Sequence, residues 1–343
     1  MMSNISLLGC GTWGSAISQT LAENGHLVFA WHYDSDSLNL MSTSRKHPKI
    51  NNFYFHENIT FERNIERCIS KSNLVVVAVP SHAVRELMND SYKYYTGKTI
   101  LINLSKGLEN NTLKTMSEVI LEVSGIDKKK IVSLYGPSHA EEVLKGFPTT
   151  LVSASIDDKT SILIQDVFSS DVLRIYTNND LKGVELGGSL KNVIAIATGI
   201  CDGIGFGDNT KAALLTRGMA EITRLGTSMG AKESTFSGLS GIGDLIATCL
   251  SEHSRNRHVG EEIGKGKSLS KILDDMDMVA EGVKTTRSVF DLSKKYNLDM
   301  PISEGVYKIL FDNENPKSIV SELMNRDLVD ESKKIDSSYL LII

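Results

Sequence analysis

The first 31 residues constrain the fold of this chain most. Residues 5–8 form a short apolar run that predicts a buried strand, and the hexapeptide GCGTWG at 9–14 follows directly. Ile17 and Leu21 then recur at helical spacing, and residues 27–31 predict a second strand. A strand, a glycine turn, a helix and a strand are the context in which a GxGxxG motif binds a dinucleotide. The sequence therefore predicts an α/β domain with a nucleotide site near its N-terminus.

The three glycines of this hexapeptide predict three different contacts. Gly9 allows a tight turn, Gly11 lets the backbone approach a pyrophosphate, and Gly14 lets the helix pack closely on the strand. The helix that follows adds N–H groups and the positive end of its dipole. A glycine turn in an α/β domain that binds no ligand is the alternative interpretation of the same pattern.

The end of the second predicted strand bears on the choice of coenzyme. Asp34 lies twenty residues after Gly14, where an acidic residue commonly binds the ribose hydroxyls of NAD. His32 and Arg45 could instead meet the 2′-phosphate of NADP. The residues leave both NAD and NADP open.

Further apolar runs predict a sheet of parallel strands. They lie at residues 74–79, 99–104, 131–134, 149–154 and 173–176. Ligands gather beyond the carboxyl ends of the strands in such a sheet, and Lys106, Gly136 and Ser138 follow two of these ends. A surface lysine in a turn is the alternative for Lys106. Strand patterns stop near residue 180, so residues 1–180 are expected to form this domain.

From there on the sequence predicts helices, and one of them carries an isolated lysine. Residues 185–204 repeat apolar side chains every three or four positions, and Lys191 is the only basic residue between Gly183 and Thr210. A lysine among apolar neighbours loses hydration, which favours release of its proton in acid–base catalysis. The alternative is a packed stem with the ammonium in water. Residues 181–343 are expected to form an all-α domain.

Two later segments add candidate ligands for an anionic substrate. Ser254, Arg255 and Asn256 form a polar, basic stretch that suits a phosphate or a polyol, with a solvated loop as the alternative. Asp244 follows a glycine-rich turn and Glu281 precedes an amphipathic stretch. For both acidic residues a helix-capping role is the alternative.

Composition excludes several classes of function. The net charge of -5 gives no basic field for nucleic acid, and no apolar run approaches the ~18 residues that span a bilayer. The four cysteines are far apart and the sequence has no HExxH motif, so we expect reduced thiols, no metal site and a cytoplasmic protein.

Taken together, seven motifs in fixed order resemble one family. They are GCGTWG, NLSKGLE, YGPSHAEE, ELGGSLKNVIAIATGICDG, GLSGIGDL, SRNR and VAEGVKT. Over about residues 5–328 the chain resembles the bacterial NAD(P)-dependent glycerol-3-phosphate dehydrogenases. The resemblance implies reversible hydride transfer between NAD(P)H and dihydroxyacetone phosphate, giving sn-glycerol 3-phosphate for phospholipid synthesis. We also expect a homodimer.

The resemblance also implies residue roles. Lys191 matches the proton donor and acceptor of the family. The positions around glycerol phosphate match Lys106, Gly136, Ser138, Lys191, Asp244, Ser254, Arg255 and Asn256. The coenzyme contacts, besides the three glycines, match Thr12, Trp13, His32, Tyr33, Lys106, Ala140, Arg255, Val279 and Glu281.

The chain departs from the family pattern at two places. His32-Tyr33 stands where many members carry arginines, which favours use of NAD at least as well as NADP. Residues 54–56 replace a Tyr-Leu-Pro turn.

The sequence therefore predicts a Rossmann-like α/β N-terminal domain with a parallel sheet and an all-α C-terminal domain, with the active site in the cleft between them. Two other functions share this scaffold. One is an oxidoreductase for a different three-carbon or 3-hydroxy acid substrate, against which the Ser254-Arg255-Asn256 segment argues. The other is a non-catalytic nucleotide sensor, which has no need of Lys191.

Overall fold

The computed structural model describes residues 2–276, 279–328 and 330–331, and the chain divides into two compact units. The first comprises Met1–Glu109 and Lys114–Glu185, and the second comprises Asn110–Leu113 and Leu186–Ile343. The end of the predicted second domain, residues 332–343, lies outside the described residues.

Within the described residues of the first unit, eight strands form one sheet of order β3-β2-β1-β4-β5-β6-β7-β8. The strands are β1 (Asn4–Leu8), β2 (Leu27–Trp31), β3 (Ile59–Phe61), β4 (Leu74–Val77), β5 (Ile100–Asn103), β6 (Ile131–Tyr135), β7 (Thr149–Ala154) and β8 (Leu173–Asn178). All neighbours pair in parallel except β6 and β7. The predicted parallel sheet is confirmed apart from this one pair.

Helices lie between these strands. They are α1 (Thr12–Glu23), α2 (Ser35–Ser44), α3 (Ile65–Ile69), α4 (Val84–Ser91), α5 (Met116–Ser124), α6 (Ala140–Val143) and α7 (Asp158–Phe168). Leu7 of β1 packs in one core cluster with Ile17 of α1, whereas the next residue, Leu8, packs in another cluster with Val119 of α5. Alternate residues of a strand point to opposite faces, so helices cover both faces of the sheet.

Among the described strands, the one antiparallel pair is β6 with β7. Parallel neighbours are usually joined by a helix that runs back along the sheet, whereas the connection from β6 to β7 contains helix α6, which has 4 residues. The chain enters β7 at the end of the sheet where it leaves β6.

The described residues from 186 onward contain helices and no strand, which confirms the predicted all-α region. The helices are α8 (Leu181–Ile204), α9 (Asp208–Ser228), α10 (Glu233–Phe236), α11 (Asp244–Leu250), α12 (Arg255–Gly264), α13 (Leu269–Asp274), α14 (Glu281–Lys295), α15 (Pro301–Phe311) and α16 (Pro316–Met324). In the described part of the chain, α8 alone is long and apolar enough to cross a membrane, and its apolar window is wholly buried in the protein.

Glycines bring α8 and α12 into backbone contact. A Cβ on Gly199 would lie 1.9 Å from Arg257 O, and one on Gly260 would lie 2.0 Å from Ile196 O. Since real Cβ atoms never approach so closely, any larger residue would push α12 away. This backbone contact between α8 and α12 fixes the position of the start of α12, where the candidate residues Arg255 and Asn256 lie.

Candidate active site

The glycine turn has the geometry that its residue types predict. Gly9 has φ +111°, and a Cβ on it would lie 2.7 Å from Ala78 O. A Cβ on Gly14 would lie 2.0 Å from Gly9 O, so helix and turn are packed backbone on backbone. In contrast, a Cβ on Gly11 would have no described atom within 4 Å apart from those of its neighbours along the chain. Space therefore remains beside Gly11 at the N-terminus of α1, where a pyrophosphate would meet N–H groups and the helix dipole.

Residues beside this turn also fit a dinucleotide. The first turn of α1 contains no acidic residue that would repel an anion. Among the described residues, the buried Nε1 of Trp13 has no hydrogen-bond partner, and a buried polar group of this kind calls for one. Trp13 packs on the small cluster that contains Ala140, so the structure brings these two predicted coenzyme contacts together. Thr12 is the half-buried first residue of α1.

Two histidines form hydrogen bonds with Cys10, which lies between Gly9 and Gly11 in the turn. The N–H of Cys10 donates to His32 Nδ1 at 3.3 Å. His47 Nδ1 accepts from the Lys49 N–H at 3.0 Å. Its other ring nitrogen, Nε2, therefore carries the proton and donates to Cys10 O at 3.2 Å. The sequence analysis missed His47, because no local pattern links it to a residue 37 positions earlier.

The remaining candidate residues near the end of β2 differ in their exposure and in their hydrogen bonds within the protein. Tyr33 is 77% exposed. Asp34 caps α2 by accepting from the Ser37 N–H at 3.0 Å, and the bonds from Ser37 lower the pKa of its carboxyl group. Asp34 is half-buried, and its role as a ribose ligand stays a prediction.

The expectation that Arg45 could meet a 2′-phosphate is wrong. Its guanidinium donates to three backbone carbonyls, at 2.7 Å to Ile59 O, at 3.2 Å to Phe55 O, and to His56 O. These bonds fold the segment that replaces the Tyr-Leu-Pro turn of the family. A charged residue type in the sequence does not reveal that carbonyl groups surround it in the fold.

Lys106, Gly136 and Ser138 lie together beyond β5 and β6. Lys106 Nζ donates to Gly136 O at 2.9 Å, and Ser138 Oγ donates to the same carbonyl at 3.1 Å. The Lys106 ammonium also lies 5.7 Å from the centroid of the Tyr135 ring. Gly136 has φ +149°, and a Cβ on it would lie 2.9 Å from Thr150 O. Lys106 is therefore half-buried and held by its neighbours, not a surface lysine in a turn.

Lys191 is buried in the second unit and paired with an acidic residue. Its side chain is only 6% exposed, and its Nζ donates to Asp244 Oδ1 and, at 2.6 Å, to Thr248 Oγ1. The alternative of an ammonium that reaches water is therefore wrong. Asp244 is the first residue of α11, and its carboxylate pairs with the lysine. Thr248 is a partner that the sequence analysis did not predict.

The glycine-rich turn before α11 packs on the helix of Lys191. A Cβ on Gly187 would lie 2.5 Å from Ser240 O. Only glycine permits this approach of α8 to the turn, which is followed directly by Asp244. The close contact explains why glycines in two distant motifs are needed to bring lysine and carboxylate together.

In the predicted phosphate-binding segment, some side chains bond to other parts of the protein and one is left to meet a ligand. Ser254 caps α12 by accepting from the Arg257 N–H at 3.2 Å, and Asn256 Oδ1 accepts from the Gly282 N–H at 2.9 Å. Arg257 forms a double ion pair with Asp202, its Nε and Nη2 lying 2.7 and 2.6 Å from Oδ2. Arg255 is exposed, and within the described residues its guanidinium forms no ion pair or hydrogen bond.

Two further predicted coenzyme contacts lie at the start of α14. Glu281 is the first residue of this helix and Val279 is 38% exposed just before it. Because Asn256 binds the next residue, Gly282, these positions adjoin the start of α12. Whether each predicted site residue binds a ligand stays a prediction.

No cluster of three or more potential metal ligands occurs within the described ranges. The four cysteines are free and buried. Burial raises the pKa of the thiols of Cys68 and Cys249 to about 12, which leaves them poor nucleophiles.

The fold and these side chains define a class of protein. The first six strands have the order 3-2-1-4-5-6 of the dinucleotide-binding Rossmann fold, with the glycine turn between β1 and α1. The helical unit that follows contains a buried lysine held by a carboxylate. This combination defines a nicotinamide-nucleotide-dependent dehydrogenase with a helical second domain.

Comparison with known sequences gives the family. The N-terminal profile of the NAD-dependent glycerol-3-phosphate dehydrogenases matches residues 4–161, and their C-terminal profile matches residues 180–321. The chain belongs to the NAD-dependent glycerol-3-phosphate dehydrogenase family, which confirms the resemblance.

Individual relatives agree over nearly the whole chain. The glycerol-3-phosphate dehydrogenase (NAD(P)+) of Oceanobacillus iheyensis is 46% identical over 330 residues, 96% of each chain. That of Thermoanaerobacter sp. strain X514 is 48% identical over 94% of this chain and 97% of its own. Among solved structures, glycerol-3-phosphate dehydrogenase from Coxiella burnetii superposes with a TM-score of 0.91 at 33% identity, over 95% of this chain and 99% of its own.

Proposed function

We propose that this protein is an NAD(P)-dependent sn-glycerol-3-phosphate dehydrogenase that reversibly reduces dihydroxyacetone phosphate. The observation that carries the proposal is the buried ammonium of Lys191, paired with Asp244 and bonded to Thr248 at 2.6 Å. A charged group this deeply buried is costly unless it is paired. Its retention at the position of the family's proton donor supports a catalytic role.

The chemistry needs an acid beside the substrate carbonyl. When bound, the reduced nicotinamide coenzyme supplies the hydride that adds to C2 of dihydroxyacetone phosphate. The C2 oxygen gains negative charge as the hydride adds, and Lys191 Nζ gives it a proton to form the hydroxyl group. In the reverse direction the neutral amine takes that proton from the hydroxyl group. One well-placed acid of this kind contributes ~10²–10⁴ in rate.

Asp244 and Thr248 orient this group. Both accept hydrogen bonds from Lys191 Nζ, which fixes the position of the nitrogen on its long side chain. The carboxylate also stabilises the ammonium form that must be present before reduction.

Arg255 is the group in the second unit that we assign to the substrate phosphate. It is exposed at the start of α12, whereas Arg257 two residues later is engaged by Asp202. A guanidinium binds phosphate through charge-assisted bonds. Ser254 and Asn256 hold the ends of α12 and α14 in place beside it and complete the assigned set.

In the first unit we assign Lys106, Gly136 and Ser138 to substrate. We assign to the coenzyme Gly9, Gly11, Thr12, Trp13, Gly14, His32, Tyr33, Lys106 and Ala140, and with them Arg255, Val279 and Glu281 from the second unit. The open space beside Gly11 supports this assignment. Residues 1–180 would then be the NAD(P)-binding domain and 181–343 the substrate and catalytic domain.

The remaining proposals concern the setting of the reaction. We propose that the product supplies glycerophospholipid synthesis and that the enzyme works in the cytoplasm as a homodimer, in line with the family resemblance. Light scattering of the purified protein measures the assembly directly.

One assay tests the reaction. Absorbance at the NADH band should fall when dihydroxyacetone phosphate is added and should stay constant with other keto substrates or with buffer alone. Oxidation of NADH with a 3-keto acid but not with dihydroxyacetone phosphate would assign the enzyme to a different substrate. No oxidation with any substrate, together with NADH binding, would indicate a nucleotide sensor.

A further inference from the structure

A buried carboxylate in the first unit has no part in the chemistry above. Glu185 is 1% exposed and receives four hydrogen bonds. Its Oε1 accepts from Asn103 Nδ2 at 3.1 Å, from the Ser117 N–H at 2.9 Å and from Ser133 Oγ at 2.8 Å, and its Oε2 accepts from Ser117 Oγ at 2.5 Å. In the described part of the chain these partners are neutral donors and no lysine or arginine pairs with it.

Burying the charge of Glu185 lowers the stability of the folded protein. Burial raises the pKa of Glu185, while the bonds from Ser117 and its neighbours oppose that change. Removing a charge from water costs free energy that neutral donors only partly offset. A glutamine would have nearly the same shape without that cost, so the charge is expected to have a function.

The bond to Asn103 shows what the charge does. Asn103 Oδ1 accepts from the Ser105 N–H at 2.9 Å, and its Nδ2 faces the carboxylate. If the amide were rotated by 180°, its oxygen would face Glu185 and the two would repel each other. Glu185 therefore selects the orientation of Asn103 that holds the Ser105 N–H.

The same network holds the other side of Ser105. Asn103 Nδ2 lies 3.1 Å from the Tyr135 hydroxyl oxygen, and that hydroxyl donates to Ser105 O. Ser105 Oγ donates to Val79 O at 2.6 Å. The residue just before Lys106 is thus fixed at its N–H, its carbonyl and its side chain.

Lys106 depends on this anchor at both ends of its side chain. Its backbone follows Ser105, its ammonium lies over the ring of Tyr135, and its Nζ donates to the carbonyl of Gly136, the next residue after Tyr135. Any shift of Ser105 or Tyr135 moves the ammonium relative to that carbonyl.

We propose that Glu185 is a positioning residue for substrate binding, which acts through Asn103 and Tyr135 to hold Lys106 and Gly136 in their binding geometry. This inference rests on the proposed function for its effect on substrate. Its structural part, the ordering of residues 105–107, does not depend on that function.

The test uses two variants and a matched control. Glu185→Gln removes the charge with little change of shape. Tyr135→Phe removes only the hydroxyl group that binds Ser105 O and keeps the ring beneath Lys106. Glu118→Gln is the control. Glu118 lies in the first turn of α5, next to Ser117, and is bonded to the Thr115 N–H at 3.0 Å and to Lys182 at 2.8 Å, but has no bond to Asn103.

Two measurements decide the matter. In Glu185→Gln we expect KM for dihydroxyacetone phosphate to rise roughly tenfold, about the effect of one hydrogen bond. Hydrogen exchange of residues 105–107 should quicken by a similar factor. Tyr135→Phe should give the same changes in smaller size, and Glu118→Gln should give neither.

Each outcome has a separate meaning. Unchanged exchange at 105–107 in both test variants would overturn the positioning role, even if the protein were less stable. Faster exchange with an unchanged KM would also overturn the proposal, since the order of residues 105–107 would then have no effect on substrate binding. If the wild type reduced no dihydroxyacetone phosphate, the proposed function would fail, while the exchange measurement would still decide whether Glu185 orders the loop.

Discussion

Lys191 Nζ donates a hydrogen bond to Thr248 Oγ1 at 2.6 Å across a sequence separation of 57 residues. The bond joins the long helix α8 to α11, and Asp244 on the same short helix receives a second bond from the lysine. Two acceptors on one helix restrict the position of the lysine nitrogen more than one acceptor would, because the nitrogen must stay within hydrogen-bond distance of both.

Thr248→Val tests this arrangement. The substitution keeps the branched shape and removes the acceptor, while Asp244 still holds the charge. We expect kcat to fall roughly tenfold, about one hydrogen bond, with little change in KM for dihydroxyacetone phosphate. A kcat equal to that of the wild type would mean that Asp244 alone positions the lysine.

Arg255→Ala tests the phosphate assignment. We expect kcat/KM to fall far more for dihydroxyacetone phosphate than for dihydroxyacetone. The difference should correspond to about 1.5–3 kcal/mol, the contribution of a charge-assisted hydrogen bond. Arg287→Ala is the control, since Arg287 is another exposed arginine of this unit, 4.2 Å from the ring of Phe311. Equal losses for both substrates would assign Arg255 to the coenzyme or to the fold.

Coenzyme binding is expected to weaken in acid because of His32. Its Nδ1 must be unprotonated to accept from the Cys10 N–H. Burial lowers the pKa of His32, with Lys49 in the same direction and Asp34 opposing them. Kd for NADH should therefore begin to rise only below pH 6.5, the ordinary histidine value, and by up to ~10-fold per pH unit.

His32→Asn keeps an acceptor near the position of Nδ1 and does not titrate, so it should flatten this dependence. His82→Asn is the control, since His82 is exposed on the surface. Fluorescence titration with NADH between about pH 5 and 8 measures both. The same slope in wild type and His32→Asn would contradict the role of His32.

Glu221 should make the folded protein less stable as pH rises, whereas coenzyme binding is expected to weaken as pH falls. It is buried and accepts from the Ile302 N–H at 2.7 Å and the Ser303 N–H at 3.0 Å at the start of α15. Burial raises the pKa of its carboxyl group from 4.5 to about 7. Between these values the folded protein holds a proton that the unfolded chain releases, so the free energy of unfolding falls as pH rises.

The size of this effect is about 3 kcal/mol over that range. Urea denaturation of wild type and Glu221→Gln across it measures the contribution, because the variant has no group to titrate. The free energy of unfolding of the wild type minus that of the variant should therefore fall from acid to neutral pH. A difference that is constant with pH would show that Glu221 titrates normally.

These contacts also show what the sequence can predict. The glycine turn was predictable, because positive φ and missing Cβ atoms are properties of the residue type itself. The position of Lys191 in a helix was predictable from apolar spacing. Its burial against Thr248 was not, since no local pattern records a contact between residues so far apart.

The wrong expectations have the same origin. Arg45 has the charge that suits a phosphate, but the carbonyl groups that surround it come from a folded segment ten to fourteen residues away. The antiparallel pairing of β6 with β7 was missed because a buried strand has the same apolar pattern in either direction. Glu185 was visible only as the start of a helix, because its four donors lie on three separate elements.

The central claim is that Lys191 is the proton donor, and Lys191→Met tests it most directly. Methionine keeps most of the side-chain volume and removes the acid, so kcat with saturating NADH and dihydroxyacetone phosphate should fall by at least ~10². Thermal unfolding and NADH titration establish that the variant is folded and binds coenzyme. Lys211→Met is the matched control, because Lys211 is also paired with an acidic residue, Asp202, at 2.6 Å in the same unit; it should keep a kcat close to that of the wild type. A folded, NADH-binding Lys191→Met variant with a near-normal kcat would contradict the account.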